Sequence, residues 1–436
     1  MAAILGWVER QEVYMFVQHQ VQNQNRGIPF PKSIAQELLT TYGSPLYVYQ
    51  GDRLRQTIRH ITQAIPYPKT RFHFASVTNG NISLLQIFRD EGWGLHANTP
   101  GDVYLGLQAG FHPSQIVYSG SNLSRDDMEQ IFQWGVTRLN LDSLSQLHLY
   151  CEIVTQRRKD AKEDLSSRLC DFARSHSQIQ LGMRLNLSEI TGDSRIGVRP
   201  SEFPDAIAIC NAAGLKLSSL HFYRGTGTNA TKAFTQVIDP VIAIAQQLPD
   251  WQILDFGGGF GYPYKSEGAA FDWEEFGFAI TQKLDCIQSK IELVIEPGRA
   301  AIAGCGTLLA RVVSTKWQEG KQIVGVDTTV ANLSVPAVHG GDREIVTWLE
   351  NPPLHPTDVC GNTTYSRDYL GRNCNLPALQ IGDAIAVLDT GAYGYAMSSH
   401  FLHRPRPAEV LIENNTHRLI RQRENYSILL NGQIFN

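Results

Sequence analysis

No stretch of the chain approaches the roughly 20 consecutive apolar residues that a membrane helix needs, which argues against a membrane protein. A basic cluster is missing too. The 38 Lys and Arg against 42 Asp and Glu leave a formal net charge of −4, so nucleic acid is not an expected partner. Cysteine is sparse, and its seven copies show neither CxxC nor Cys/His ligand spacing. A zinc centre or a disulfide framework is therefore not expected, and reduced thiols in the cytoplasm are. The opening MAAILGWVERQEVYMF puts Glu9 and Arg10 straight after a short apolar patch, unlike a secretory signal. Charged residues make up only 18% and hydrophobic ones 42%, with a mean hydropathy of −0.21, enough apolar material for a sizeable core. The 436 residues exceed one ordinary domain, so a large domain with a smaller companion is expected.

Residues 1–29 are Gln-rich without a clear period and read as an N-terminal arm. From about 45 to 300 short apolar runs alternate with longer amphipathic stretches. The runs are 71–76, 92–98, 115–120, 138–143, 180–186, 217–225, 251–259 and 292–299. Helix-like segments such as ISLLQIFRDEG (82–92) and PGDVYLGLQAG (100–110) lie between them. This rhythm predicts parallel strands joined by crossover helices. Eight strands suit an α/β fold of the (β/α)8 type, although an open doubly wound sheet gives a similar pattern. After Arg299 the rhythm changes to GTLLARVVSTKW, KQIVGVDTT, DAIAVLD and HRLIRQRENY, which read as antiparallel strands. The expected division is a barrel over 30–300 and a β domain over 301–436, with 30–48 contributing a strand to the second.

Three segments bear chemistry. Consecutive glycines in Asp255-Phe-Gly-Gly-Gly-Phe-Gly261, after a buried strand, let backbone N–H groups approach an anion, although a tight turn alone also explains them. Glu296-Pro-Gly-Arg299 ends the next strand; in a barrel it falls on the C-terminal face, where phosphate sites gather, and the plainer reading is a surface ion pair. In GAYGYAMSS, small residues round Tyr393 aim its hydroxyl at a ligand or form a packed turn.

In order, SPLYVYQGDRL, FASVTN, GLHANTPGDVYLGLQAGF, SRIGV, HFYRGT, DFGGGFG, EPGR and GAYGYAMSSHFLHRPRPAEV resemble the ornithine/diaminopimelate/arginine decarboxylases, pyridoxal-phosphate (PLP) enzymes of fold type III. The resemblance spans about residues 30 to 430. It implies an alanine-racemase-like (β/α)8 barrel followed by a C-terminal β domain, in a homodimer with sites at the interface. By position it implies that Gly257, Gly258, Gly259, Thr226, Arg299 and Tyr393 hold the cofactor phosphate. Glu296 would pair with the pyridine nitrogen and keep it protonated. Arg184 matches an arginine near the ring oxygen, and Tyr223 stands where many members stack a histidine on the ring. No metal is implied.

The pattern breaks at three places. The family strand reads aromatic-Ala-x-Lys-Ala-Asn, and here it is Phe74-Ala75-Ser76-Val77-Thr78-Asn79. The lysine that tethers PLP covalently is therefore Val77, which has no nitrogen, so any PLP is expected to bind non-covalently. Lys69, eight residues upstream, is too far along an extended strand to substitute. A gapless alignment puts the family's catalytic cysteine at Thr364, with Tyr365 and Ser366 in the neighbouring Glu and Ser places; Cys360 is the alternative. His96 replaces an aspartate that faces the cofactor, which marks it for proton handling or a structural role.

Three readings follow. The first is a diverged protein that keeps the PLP site and binds a small amino-acid or polyamine-like ligand or regulates a partner. The second is altered PLP or pyridoxamine-phosphate chemistry, with His96, Tyr223 or Tyr365 moving protons. The third is an ordinary diaminopimelate/ornithine-type decarboxylase. Arg195 and Tyr395 are further candidates for a substrate carboxylate.

Overall fold

The computed structural model describes residues 29–163, 179–192, 194–225, 227–265, 268–287, 290–341, 343–349 and 353–435. Most of the expected N-terminal arm, and Thr226, lie outside the described residues.

The chain enters through the helix Lys32–Thr41 and the strand β1 (Leu46–Gln50). The helix buries Ala35, Leu38 and Leu39, a three-to-four-residue spacing that sets one stripe against the strand residues Leu46, Val48, Leu309 and Val410. The strand expected near 30–48 is thus mostly helix, and only its end is extended.

Eight parallel strands then close into a barrel: β2 (Thr70–Ala75), β3 (Gly94–Ala97), β4 (Ile116–Tyr118), β5 (Arg138–Leu141), β6 (Gln180–Leu185), β7 (Leu217–Phe222), β8 (Ile253–Asp255) and β9 (Glu292–Ile295). Closure is made by β2, which pairs with β3 on one side and β9 on the other. β3, β4, β5, β7 and β8 are buried at every position, because side chains fill the lumen inside and crossover helices cover the outside. The helices start where side chains satisfy their free amides. Thr99 and Asp102 form a capping box, and Asn81, Ser124 and Asp272 each accept from a first-turn N–H.

The second layer is a nine-stranded sheet. It is built from β10 (Gly306–Gln318), β11 (Lys321–Val326), β12 (Ile345–Val346), β13 (Leu354–Cys360), β14 (Tyr369–Pro377), β15 (Ala384–Val387), β16 (Ala408–Glu413), β17 (Thr416–Arg421) and β1. β1 lies between β10 and β16, so the chain begins in this sheet before it builds the barrel. The sheet is mixed rather than antiparallel, since β1 runs parallel to β16 and β11 to β13.

Barrel and sheet are joined through Glu409, which is fully buried. Its carboxylate accepts from Tyr49 Oη at 2.7 Å and Asn81 Nδ2 at 2.8 Å, and pairs with Arg421. Asn79 donates to Tyr49 Oη at 3.2 Å and to Gly391 O at 3.1 Å. One polar chain therefore runs from the sheet to the turn after β2. No helix among the described residues is long and apolar enough to cross a membrane.

Candidate functional site

The strand ends on the C-terminal side of the barrel open into a cavity of about 250 Å³. Its wall takes Ala75 from the end of β2, Val77 and Thr78 from the turn after it, His96 from β3, Asn98 just beyond β3, and Arg184 from β6. His221 and Tyr223 follow from β7, Gly258, Gly259 and Phe260 from the loop after β8, and Glu296, Gly298 and Arg299 from the end of β9. Tyr393 reaches in from the sheet domain and is positioned by its backbone. It sits at φ +58°, and its N–H donates to Thr78 O at 2.9 Å.

The glycine loop is glycine for want of space. A Cβ on Gly257 would stand 2.1 Å from Phe222 O, one on Gly258 2.6 Å from Glu296 O, and one on Gly259 2.4 Å from Gly225 O. Gly257 also needs φ +66° and Gly259 φ +96°. The loop can thus lie flat between the ends of β7 and β9 and bare its amides. Gly258 and Gly259 face the cavity. Gly257 does not, because its N–H donates to Asp255 Oδ1 at 3.1 Å; this corrects the expectation that all three serve an anion.

Arginines and aromatic rings pair round the wall. The Arg299 guanidinium lies 4.8 Å from the Tyr393 ring centre and donates to Tyr264 Oη at 3.0 Å. Arg184 lies 4.9 Å from the Tyr223 ring centre. Such stacking orients a guanidinium while leaving in-plane N–H groups for a ligand.

The floor holds buried titratable groups. Burial pushes the Glu296 carboxyl up to about 8, against the pull of Asp255 and Arg184. Asp255 is raised as well, first by burial and then by the Glu296 charge. His96 is pushed down to about 3 and His221 to about 4, chiefly by burial, so both imidazoles are neutral near pH 7. Nε2 of each lies 3.4 Å from Glu296 Oε2.

Seven of the residues expected from sequence thus meet at the cavity besides Val77: His96, Arg184, Tyr223, Gly258, Gly259, Glu296 and Arg299, with Tyr393 as the eighth. Thr364 and Tyr365, which the resemblance places in the partner subunit's site, do not line the cavity of their own chain. They sit on a turn that Asp368 holds by accepting from Thr363 N at 3.1 Å, with the Tyr365 ring against Phe401 at 5.4 Å. Cys360 is half-buried at the end of β13, its thiol pushed up by burial, and does not line the cavity of its own chain either. Arg195 is exposed outside the cavity. Tyr395 is packed against Tyr47 and the Arg406 and Arg421 guanidiniums, away from it. Lys69 precedes β2 at the far end of the barrel and donates to Lys290 O at 2.9 Å. No lysine lines the cavity among the described residues.

Sequence reasoning passed over His221. Two residues before Tyr223 on an extended strand, it shares that residue's face, and the alternation was the available signal.

The description "Pyridoxal-dependent decarboxylase, pyridoxal binding domain" fits residues 52–303 as a family. The chain belongs to this family. It is 32% identical over 416 residues to the diaminopimelate decarboxylase of Methanothermobacter thermautotrophicus, covering 92% of this chain and 94% of that one. It is 27% identical over 399 residues to that of Aquifex aeolicus, with 90% and 92% covered. The structure of a point mutant of Helicobacter pylori diaminopimelate decarboxylase complexed with L-lysine superposes with a TM-score of 0.80 at 25% identity, over 91% of this chain and 98% of that one. Membership makes PLP the cofactor of this barrel, and the site fits it. Glu296 Oε1 is a buried acceptor without a hydrogen-bond partner, as a protonated ring nitrogen requires, and the glycine cradle and Arg299 offer donors to a phosphate.

Proposed function

We propose that this family member holds PLP without a covalent tether, together with a small amino acid or polyamine, and that decarboxylation by the usual tethered route is lost. Val77 carries the reading. It stands at the family's lysine position, lines the cavity and is 47% exposed there, so a hydrocarbon faces the place where an amine would project. When bound, PLP supplies a ring that accepts the electron pair from a bond broken at the α-carbon of an amino acid.

In this reading the amides of Gly258 and Gly259, the Arg299 guanidinium and the Tyr393 hydroxyl bind the phosphate, with Thr226 at the family's serine position. Glu296 holds the proton on the ring nitrogen. Tyr223 packs on the ring face and is backed by Arg184. His96, neutral and beside Glu296, accepts or passes a proton at Nε2. Thr364 and Tyr365, outside the cavity of their own chain, reach the other subunit's site in a homodimer. Without an amine at position 77 the chain has no group to displace a bound product amine, so release is slow and a ligand-binding or regulatory role is favoured.

The test is the visible spectrum of purified protein with PLP, followed by borohydride and intact mass. The expected result is cofactor that dialyses away and no added mass. A pyridoxyl adduct on any lysine overturns the reading.

A second reading has one observation in its favour: the curated relatives matching about nine-tenths of the chain are named diaminopimelate decarboxylase. Carbon dioxide release from diaminopimelate at a rate proportional to enzyme would establish it.

A further inference from the structure

Below the cavity the barrel lumen is polar, although it is buried. Asp255 at the end of β8, Asn140 on β5, Ser219 on β7 and Ser119 just beyond β4 all lie inside. Asn140 Nδ2 donates to Asp255 Oδ2 at 2.8 Å and to Ser119 Oγ at 3.2 Å, and its Oδ1 accepts from Ser219 Oγ at 3.3 Å. Gly182 on β6 makes room for this knot, since a Cβ there would stand 2.2 Å from Asn140 Oδ1. The other Asp255 oxygen accepts from Gly257 N at 3.1 Å. Asp255 is therefore pinned by strands of a closed barrel, and it points at Glu296. One oxygen of each carboxyl and a His221 ring nitrogen all lie within 4.8 Å of one another, and the two carboxyls share a hydrogen bond.

We infer that Asp255 is a positioning residue for Glu296: it donates the one proton held between the two buried carboxyls and so leaves Glu296 as the charged partner of the cofactor's ring nitrogen. Ionised carboxylates only accept, so a hydrogen bond between two of them needs a proton. With 1% and 2% of their surfaces exposed, the pair cannot both be charged.

The surroundings decide which of the two keeps the proton. The donors to Asp255 are neutral, one amide and one backbone N–H, while burial and the Glu296 charge hold its proton on. Arg184 and Arg138 favour the charged form of Glu296, and His221 Nε2 stands 3.4 Å from its Oε2. The remaining titratable neighbour, His96, is neutral near pH 7 as His221 is. Glu296 Oε1 is left free for the ring nitrogen. The bond from Asp255 weakens the hold of Glu296 on a proton, so the proton between Glu296 and the ring rests on the ring, where it improves the ring as an electron acceptor. The inference rests on the cofactor reading of the cavity and not on how the cofactor is tethered.

Infrared spectra of the full-length PLP-free protein at pH 7, prepared with and without 13C-aspartate, should show a neutral carboxylic acid that moves with the label, a readout that needs no variant. PLP labelled with 15N in the ring is then bound to the unsubstituted protein, Asp255→Ala and Asp255→Asn. Asp255→Ala should move the ring-nitrogen signal toward that of an unprotonated pyridine, as the proton equilibrium shifts about 10–160-fold toward Glu296, the size of a lost hydrogen bond to a charged group. Asp255→Asn keeps an N–H for Glu296 and should restore most of the signal. No neutral aspartic acid, a signal in folded Asp255→Ala that stays or moves the other way, or Asp255→Asn equal to Asp255→Ala overturns the role. Removing a charged Asp255 would drive the proton onto the ring, so the sign tells the two states apart. Labelled PLP that fails to bind the unsubstituted protein defeats the cofactor reading and this role with it, a failure distinct from the loss of Asp255 alone.

Discussion

The backbone N–H of Tyr393 donates to the carbonyl of Thr78 at 2.9 Å, which stitches a loop of the sheet domain to the turn that carries Val77. Val77 and the tyrosine stacked against Arg299 are thus held as one unit. Asn79 adds a second stitch, donating to Gly391 O at 3.1 Å. Both depend on barrel and sheet keeping their relative placement, which the buried carboxylate of Glu409 supports.

Glu409→Ala should therefore destabilise the protein by about 3 kcal/mol. That is the lower end for breaking a buried pair, because Arg421 is partly exposed. The change strands the Tyr49 hydroxyl and the Asn81 amide as well. Urea titration checks it through a lower midpoint at an unchanged slope. PLP affinity should fall in parallel, since the turn after β2 loses its support.

The pH dependence of stability has two limbs with different owners. Glu296 is raised from its ordinary 4.5 to about 8, so across that window the folded chain holds a proton the unfolded chain releases, and stability falls as pH rises through it. His96 and His221 are lowered from 6.5 to about 3 and about 4, so the unfolded chain takes up protons the folded chain refuses. Their contribution is full above 6.5 and is lost as pH falls below it. Glu296→Gln should flatten the fall in stability between about pH 6.5 and 8 and steepen the acidic limb between about 4.5 and 6.5, where Glu296 opposes the two histidines. Thermal melts from pH 4 to 9 measure both, and an unchanged alkaline limb would clear Glu296 of the effect.

Much of this was legible in the sequence because it is local. The eight apolar runs are the eight barrel strands, since a strand buried on both faces needs an unbroken run. Gly258, Gly259, Glu296 and Arg299 were found because they directly follow strands, and barrel geometry puts strand ends on one face. What escaped depends on distant partners. The parallel pairing of β11 with β13 leaves no mark in either segment. The strand expected near 30–48 forms only at Leu46–Gln50, and the helix Lys32–Thr41 before it, marked by the spacing of Ala35, Leu38 and Leu39, is not part of that expectation. Gly257 lost its expected role through one hydrogen bond to Asp255 that no motif announces. The floor of two histidines and two carboxylates is invisible until β3, β7, β8 and β9 close together.

Arg299→Ala should weaken PLP without unfolding the chain. The guanidinium lies between the rings of Tyr264 and Tyr393 at the cavity wall and is not fully buried. Losing a charge-assisted contact to phosphate costs about 2–3 kcal/mol, or about 30–160-fold in affinity. Equilibrium dialysis with PLP reads the change. Pyridoxal, which has no phosphate, should bind both forms alike, and a loss of equal size for pyridoxal would remove Arg299 from the phosphate clamp.

Val77→Lys tests the proposed loss of the tether. Val77 lies on a short turn after β2, lines the cavity and has about half its surface free, so a longer side chain meets open space rather than packed core. The added ammonium would stand near the buried carboxyl of Glu296 and the neutral His96 and His221. Burial would lower its proton affinity and leave more of it as the free amine that attacks an aldehyde. The variant should retain PLP through dialysis and gain the mass of one pyridoxyl group after borohydride, where the unsubstituted protein gains none. Activity on diaminopimelate is not expected to return, because on the proposed alignment Thr364 still stands at the family's cysteine position. If the variant folds, binds PLP and yet forms no adduct, the amine does not reach the aldehyde from position 77, and that position is not the tether site.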